Sequence, residues 1–222
     1  MNMVQAAMFP HYTAAELALD RALHAMALLL ATVGVALLLA ASIQTGDTRQ
    51  FIGLATYGAA LIGMFAASAA YHSCAPCRAK ELLRRVDHAM IFVMIAATCT
   101  PFALSAFPAR IGLLVCTLVW IVAVAGAVLK LALPRQFDRF LLAVCLVTGW
   151  TMVSMSGAFA NNLSNVALFL LFGGGLAYSC GAYVQVQGRM RFHNAAWHGL
   201  VLIGASLHWA AVADQLMNWR GR

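Results

Sequence analysis

The chain reads as an all-α integral membrane protein, a seven-transmembrane helix bundle with its N-terminus cytoplasmic and its C-terminus outside. Three observations predict this. Of 222 residues, 63% are hydrophobic and only 9% are Asp, Glu, Lys or Arg, where soluble domains carry about 25% charged residues; the mean hydropathy is +0.84. Apolar runs recur along the chain near the ~20 residues that a helix needs to cross a ~30 Å hydrocarbon core. The basic residues between those runs fall unevenly on alternate sides.

In chain order, the segment before residue 22 carries Glu16, Asp20 and Arg21 and is expected to lie on the membrane surface as a short amphipathic lead-in. The first apolar run, 22–43, is too long for a signal-peptide core and reads as a span. The second, 51–71, holds Gly53, Gly58 and Gly63, small residues that permit close helix packing. The third, 87–107, opens on Asp87, and the fourth, 111–133, has Lys130 near its end. The fifth covers 137–155. The sixth, 166–183, contains the Gly173–Gly174–Gly175 cluster, and the seventh covers 194–212. All are continuously apolar rather than alternating, which favours helices over barrel strands. The organisation is thus a lead-in over 1–21, a membrane domain over 22–213 and a short tail over 214–222.

Ten of the fourteen Lys and Arg residues fall on the side of the N-terminal segment and the second, fourth and sixth loops. The other four, Arg49, Arg110, Arg220 and Arg222, fall opposite. The positive-inside rule then places the N-terminus in the cytoplasm. The net charge of +7 does not point to nucleic acid, because the basic residues are scattered in small groups without a basic face. Such charges set topology and touch anionic headgroups, so the partners expected are membrane lipids. Six cysteines show no paired framework. Cys74 and Cys77 form a Cys-Ala-Pro-Cys pair in a loop; a lone pair of this kind is a weak signal for metal or redox chemistry and reads first as two loop thiols.

Ionisable groups near or inside spans are costly and mark candidate sites. His72 ends the second span, Asp87 begins the third, and His198 lies about one turn inside the seventh. Two imidazoles and a carboxylate from three helices thereby reach one depth, the cytoplasmic end. A catalytic zinc site takes three N or O ligands and leaves one position for water, whose pKa the metal lowers toward ~7. Ser68 and His72 are four apart and share a helix face, so the hydroxyl could orient a bound water or hold the imidazole. Asn194 and His198 are spaced the same way. Plainer readings exist for each residue: His72 as an interfacial ring, Asp87 as an ion-pair partner of Arg84 and Arg85, and Asn194 as a helix N-cap. The agreement in depth is what supports a metal. Of the other histidines, His24 opens the first span on the same side and could support the site from outside. His208 lies roughly 15 Å beyond His198 along a helix, too far to share its metal. His88 points elsewhere, and His11 is uninformative.

At these residues the sequence resembles the hemolysin III family, the bacterial branch of the progestin and adipoQ receptor (PAQR) proteins, which are grouped more widely with alkaline ceramidases. Ser-Ala-Ala-Tyr-His at 68–72 is similar to the family's S-x3-H. Arg-Val-Asp-His-Ala-Met-Ile at 85–91, leading to Thr-Cys-Thr-Pro-Phe at 98–102, is similar to its LDH…TYTPF. Phe-His-Asn-Ala-Ala-Trp-His-Gly at 192–199 and the opening from Glu16 to His24 also match. The resemblance implies seven helices in a bacterial inner membrane and a Zn2+ ion near the cytoplasmic face. His72, Asp87 and His198 stand at the family's site positions. The family's seventh-span H-x3-H has Asn at 194 here, with the nearest histidine at 193. Three outcomes are open: Asn194 binds through its amide oxygen or a water, a late helix start folds His193 in, or Asp87 coordinates directly.

Two functions are then expected to compete. One is a membrane protein acting in homeostasis or regulation without catalysis, its zinc pinning spans together. The other is an intramembrane zinc hydrolase of a lipid amide or ester, with Asp87 taking a proton from water and Ser68 orienting the attack. An open, lipid-sized cavity beside the metal discriminates between them, because a structural zinc is closed by four ligands. A cytolysin, as the family name suggests, or a transporter is less expected, and a retinal pump is disfavoured because the only lysines are Lys80, in a loop, and Lys130, near a span end.

Overall fold

A computed structural model of the chain describes residues 12–133, 135–154, 163–188 and 190–218. Seven helices occupy them: α1 (Ala14–Thr45), α2 (Thr48–Ser73), α3 (Arg78–Ala106), α4 (Ala109–Ala132), α5 (Asp138–Ser154), α6 (Asn165–Gln187) and α7 (His193–Met217), with a 3-10 turn at Arg135–Phe137 before α5. No strand occurs among the described residues. All but α5, at 17 residues, are long and apolar enough to cross a membrane. The fifth run was expected to end at Met155, and Met155, His11, Arg189, Arg220 and Arg222 lie outside the described residues.

Several helices, α1 and α3 above all, begin well before the apolar stretches that announce them. Thr13 caps α1 through its hydroxyl, and Glu16 returns the bond to the Thr13 backbone, a reciprocal box that satisfies two end groups. The described part of the lead-in, from Ala14 on, is therefore continuous with the first spanning helix rather than a separate surface segment. Asp47 caps α2 and Ser164 caps α6. Gly46 and Gly188 end α1 and α6 with φ of 68° and 56°, a left-handed conformation that glycine adopts without a Cβ penalty.

Each helix packs on its chain neighbour, and α7 closes the ring against α1. The bundle centre is α3, which touches α2, α4, α5 and α7; 72% of its most apolar stretch is buried, against 22% for α4. Small residues allow the close approaches: a Cβ on Gly53 would stand 3.2 Å from the Pro101 backbone. Leu29, Leu37, Leu113, Ile121 and Phe169 point outward, as expected where lipid, not water, covers the surface. Hydroxyls within the helices donate to the preceding turn, as Thr98 does to Met94 and Thr100 to Ala96.

Candidate metal centre

The N-terminal ends of α1, α3 and α7 and the C-terminal end of α2 meet at one face of the bundle. Asp20 and His24, four apart on α1, share the inward side, where both are buried. Opposite them α2 presents Ser68 and His72, and α7 presents Asn194 and His198, each pair again one turn apart. The start of α7 is tied to α1: Phe192, in a left-handed conformation with φ 61°, donates its N–H to Glu16 at 3.1 Å.

The three imidazoles form a triangle. Ring centroids lie 5.0 Å apart for His24 and His72, and 4.4 Å for each of the other two pairs. Asp20 is the hub. His198 Nδ1 donates to Asp20 Oδ1 at 2.6 Å, His72 Nδ1 lies 3.2 Å from Oδ2, and His24 Nδ1 donates to the Asp20 carbonyl at 2.7 Å. A histidine whose Nδ1–H is held in this way keeps a lone pair on Nε2. The Ser68 hydroxyl lies 3.1 Å from the one on His24.

One nitrogen from each imidazole can be chosen so that all three lie within 4.8 Å of one another, the geometry of a group that can hold a metal ion. The donor chemistry fits: neutral imidazole and carboxylate suit a zinc-type divalent cation. Charge points the same way. Asp20 is 4% exposed, and its ion pairs among the described residues are with imidazoles alone. A buried carboxylate without a permanent cation is expensive, and a divalent ion would compensate it.

His72 and His198 are thus brought together, and Asn194 Nδ2 lies 3.3 Å from His72 Nδ1. Asn194 is inside α7 rather than capping it, since the cap is Phe192. His193, the first residue of α7, is not among the three clustered histidines; its ring lies 5.9 Å from that of Tyr12. Asp87 lies within reach of the Ser68 hydroxyl. Arg84 and Arg85 pair elsewhere: Arg84 with Glu81 at 2.8 Å and Asp138 at 2.6 Å, and Arg85 with Glu81 at 3.4 Å. Sequence reasoning gave His24 a supporting place and left Asp20 in the lead-in. Their spacing of four beside an apolar run was the signal available.

An apolar cavity of about 180 Å³ opens from the cluster into the bundle. His24, Ser68, Asp87, His88 and His198 line its near end, and Cys99, Phe102 and His208 lie further in. His208 donates through Nε2 to the Leu171 carbonyl at 3.2 Å. From Asp87 to Cys99 is roughly 18 Å along α3, more than half the hydrocarbon thickness.

Fold and site define a multi-pass α-helical membrane protein with a largely buried three-histidine, one-aspartate cluster at one end of its bundle. The family model described as "Haemolysin-III related" matches residues 18–209, and the chain belongs to the hemolysin III family. It is 30% identical over 183 residues to a hemolysin-3 homolog of Bacillus subtilis (strain 168), covering 82% of this chain and 86% of the relative. It is 25% identical over 184 residues to hemolysin-3 of Bacillus cereus, covering 83% and 84%. No solved structure matches.

Proposed function

We propose that this chain is a zinc-type metalloprotein of the bacterial inner membrane, with its metal end in the cytoplasm, that hydrolyses an amide or ester bond of a bilayer lipid. The observation that carries this reading is the opening of the three-histidine cluster onto an apolar cavity whose wall also presents Ser68 and Asp87. With Asp20 engaged on Nδ1 of His72 and His198, the donors that remain are three imidazoles, the number a hydrolytic zinc uses while keeping a position for water. When bound, such an ion supplies an acidified water and polarises a carbonyl. The chain's own residues do the rest. The apolar wall takes an acyl chain and excludes bulk water, which leaves the carbonyl end of the lipid at the histidines. In this reading Asp87 accepts a proton, and Ser68 orients the group that delivers it. The excess of Lys and Arg in the loops at this end supports its cytoplasmic placement.

A second reading rests on the 2.6 Å contact of Asp20 with His198. Were Asp20 itself a ligand, the shell would close at four and pin α1, α2 and α7, and the protein would act in membrane homeostasis or regulation without catalysis.

The test is elemental analysis of detergent-purified wild type, His72→Ala and His198→Ala, followed by turnover of ceramide-type amides and phospholipid esters. About one metal per chain, lost in both variants, is expected, with turnover that Asp87→Asn lowers by about 10²-fold or more while metal is retained. Metal without turnover on either lipid class selects the closed centre. Absence of stoichiometric metal overturns both readings.

A further inference from the structure

Cys74 and Cys77 join α2 to α3 and belong to neither the histidine cluster nor the cavity. Both thiols are free, Cys77 exposed and Cys74 half-buried. Their Sγ atoms stand 3.7 Å apart. Two thiolates on one tetrahedral metal, each bonded at ~2.3 Å, stand about 3.8 Å from one another, whereas a disulfide requires ~2.05 Å. The pair is therefore already spaced as one edge of a thiolate metal site.

The loop holds that spacing from both ends. The Cys74 N–H is bonded to the carbonyls of Ala70 and Tyr71, which makes it the C-cap of α2. Cys77 is the N-cap residue of α3, its carbonyl accepting from the Lys80 N–H at 3.2 Å, so its sulfur stands at the positive end of that helix, where a thiolate is favoured. Pro76 between the cysteines fixes one backbone angle. Lys80 Nζ donates to the Cys74 carbonyl at 2.6 Å, bringing a positive charge beside the two sulfurs. The pair sits just beyond His72 in the chain, at the same end of the bundle as the histidines, but more open to solvent than they are.

We propose that Cys74 and Cys77 form a two-thiolate capture site for a zinc-type divalent cation, from which the ion passes to the histidine cluster. Capture rests on the cysteines and on the cytoplasmic placement of this end proposed above; delivery rests also on the metal-centre reading. Binding forms two metal–sulfur bonds and releases two thiol protons to solvent. Transfer breaks those bonds as metal–nitrogen bonds form, and the sulfurs are reprotonated, with no change of oxidation state. Two protein ligands leave two positions open, which makes the site exchangeable. A reducing cytoplasm keeps the pair as thiols, where this pattern serves metals rather than structural disulfides.

The experiment titrates full-length, detergent-solubilised, reduced protein with Co2+ as the zinc-type probe and reads thiolate-to-cobalt charge-transfer absorption. Wild type is expected to show the band, Cys74→Ser/Cys77→Ser to lose it, and His72→Ala/His198→Ala to keep it. Loading of metal-free protein from limiting Zn2+ is expected to slow at least tenfold in the cysteine variant, with an unchanged thermal midpoint and final content. A wild type without the band overturns capture, as does a pair that binds no cobalt but forms a disulfide with oxidised glutathione. Equal loading rates overturn delivery. Should the histidine variant bind as much ion as wild type, the metal-centre reading falls and delivery with it, while the thiolate band still reports on capture.

Discussion

Asp20 Oδ1 receives a hydrogen bond from His198 Nδ1 at 2.6 Å across 178 residues of sequence, and the same carboxylate reaches His72 at 3.2 Å. One side chain near the start of the first helix thereby sets the ring orientation of histidines on the second and the last. Supporting carboxylates of this kind fix tautomer and raise ligand basicity, and their loss typically costs ~10–100-fold in metal affinity. Asp20→Ala is expected to weaken zinc binding within that range, measured by competition with a chelator of known affinity. Asp20→Asn keeps one acceptor and is expected to fall between Ala and wild type. Wild-type affinity in Asp20→Ala would remove Asp20 from the site.

Much of this architecture is legible in the sequence, because the bilayer forces each span to declare itself as an apolar run of fixed length. Ends are a different matter. Apolarity marks where hydrocarbon begins, whereas capping marks where a helix begins, and in α1 the two are well separated. The Thr13-x-x-Glu16 box was readable and places Asp20 inside the helix; a boundary drawn at residue 22 leaves it outside. That boundary hid the hub of the cluster. The other hidden fact is a choice of partner. Arg84 lies three residues before Asp87, near enough on a helix to pair, yet it turns to Glu81 and Asp138. Asp138 is brought to it by the fold, and nothing in local spacing announces that.

His24 supplies a third imidazole in a chain where residue 194 is Asn, and Asn194 already lies against His72. The two positions should be interchangeable as the source of a ligand. His24→Ala is expected to lower bound zinc well below one per chain. Adding Asn194→His in that background restores an imidazole one turn before His198 and is expected to recover most of the metal. Elemental analysis decides it: no recovery in the double variant, with an unchanged helical signal, would mean that position 194 cannot reach the metal.

The cavity can be filled without touching the cluster. Gly149, on α5, lines it, and a Cβ built there meets nothing within 4 Å. Gly149→Phe is therefore expected to fold, and to gain some helix propensity, since Gly costs ~1 kcal/mol in a helix interior. It places a ring where an acyl chain is proposed to lie. Bound zinc should be unchanged while lipid turnover or lipid binding falls at least tenfold. A variant with full lipid activity would show that the cavity is not the lipid's path.

Near the histidine end, Asp138 is shared by two buried cations, Arg84 through a 2.6 Å hydrogen bond and Lys130 through a very short one. Arg84 and Lys130 are 5% and 4% exposed. Asp138 itself is 30% exposed in its side chain, but removing it leaves the buried Lys130 charge in a medium that solvates it poorly, and breaking a fully buried pair typically costs ~3–5 kcal/mol. Arg84 retains Glu81 at 2.8 Å, so the uncompensated group in Asp138→Asn is chiefly Lys130, and a loss of about 3 kcal/mol is expected at the lower end of that range. Arg85, 32% exposed in its side chain, is the control: Arg85→Gln should cost under about 1 kcal/mol, as partly exposed pairs do. Denaturant unfolding in detergent micelles compares the two. Similar small losses in both variants would mean that water reaches Lys130 and Asp138 and that the network is a surface feature. A large loss in Asp138→Asn with metal content intact would show that this network holds α3, α4 and α5 together independently of the histidine cluster.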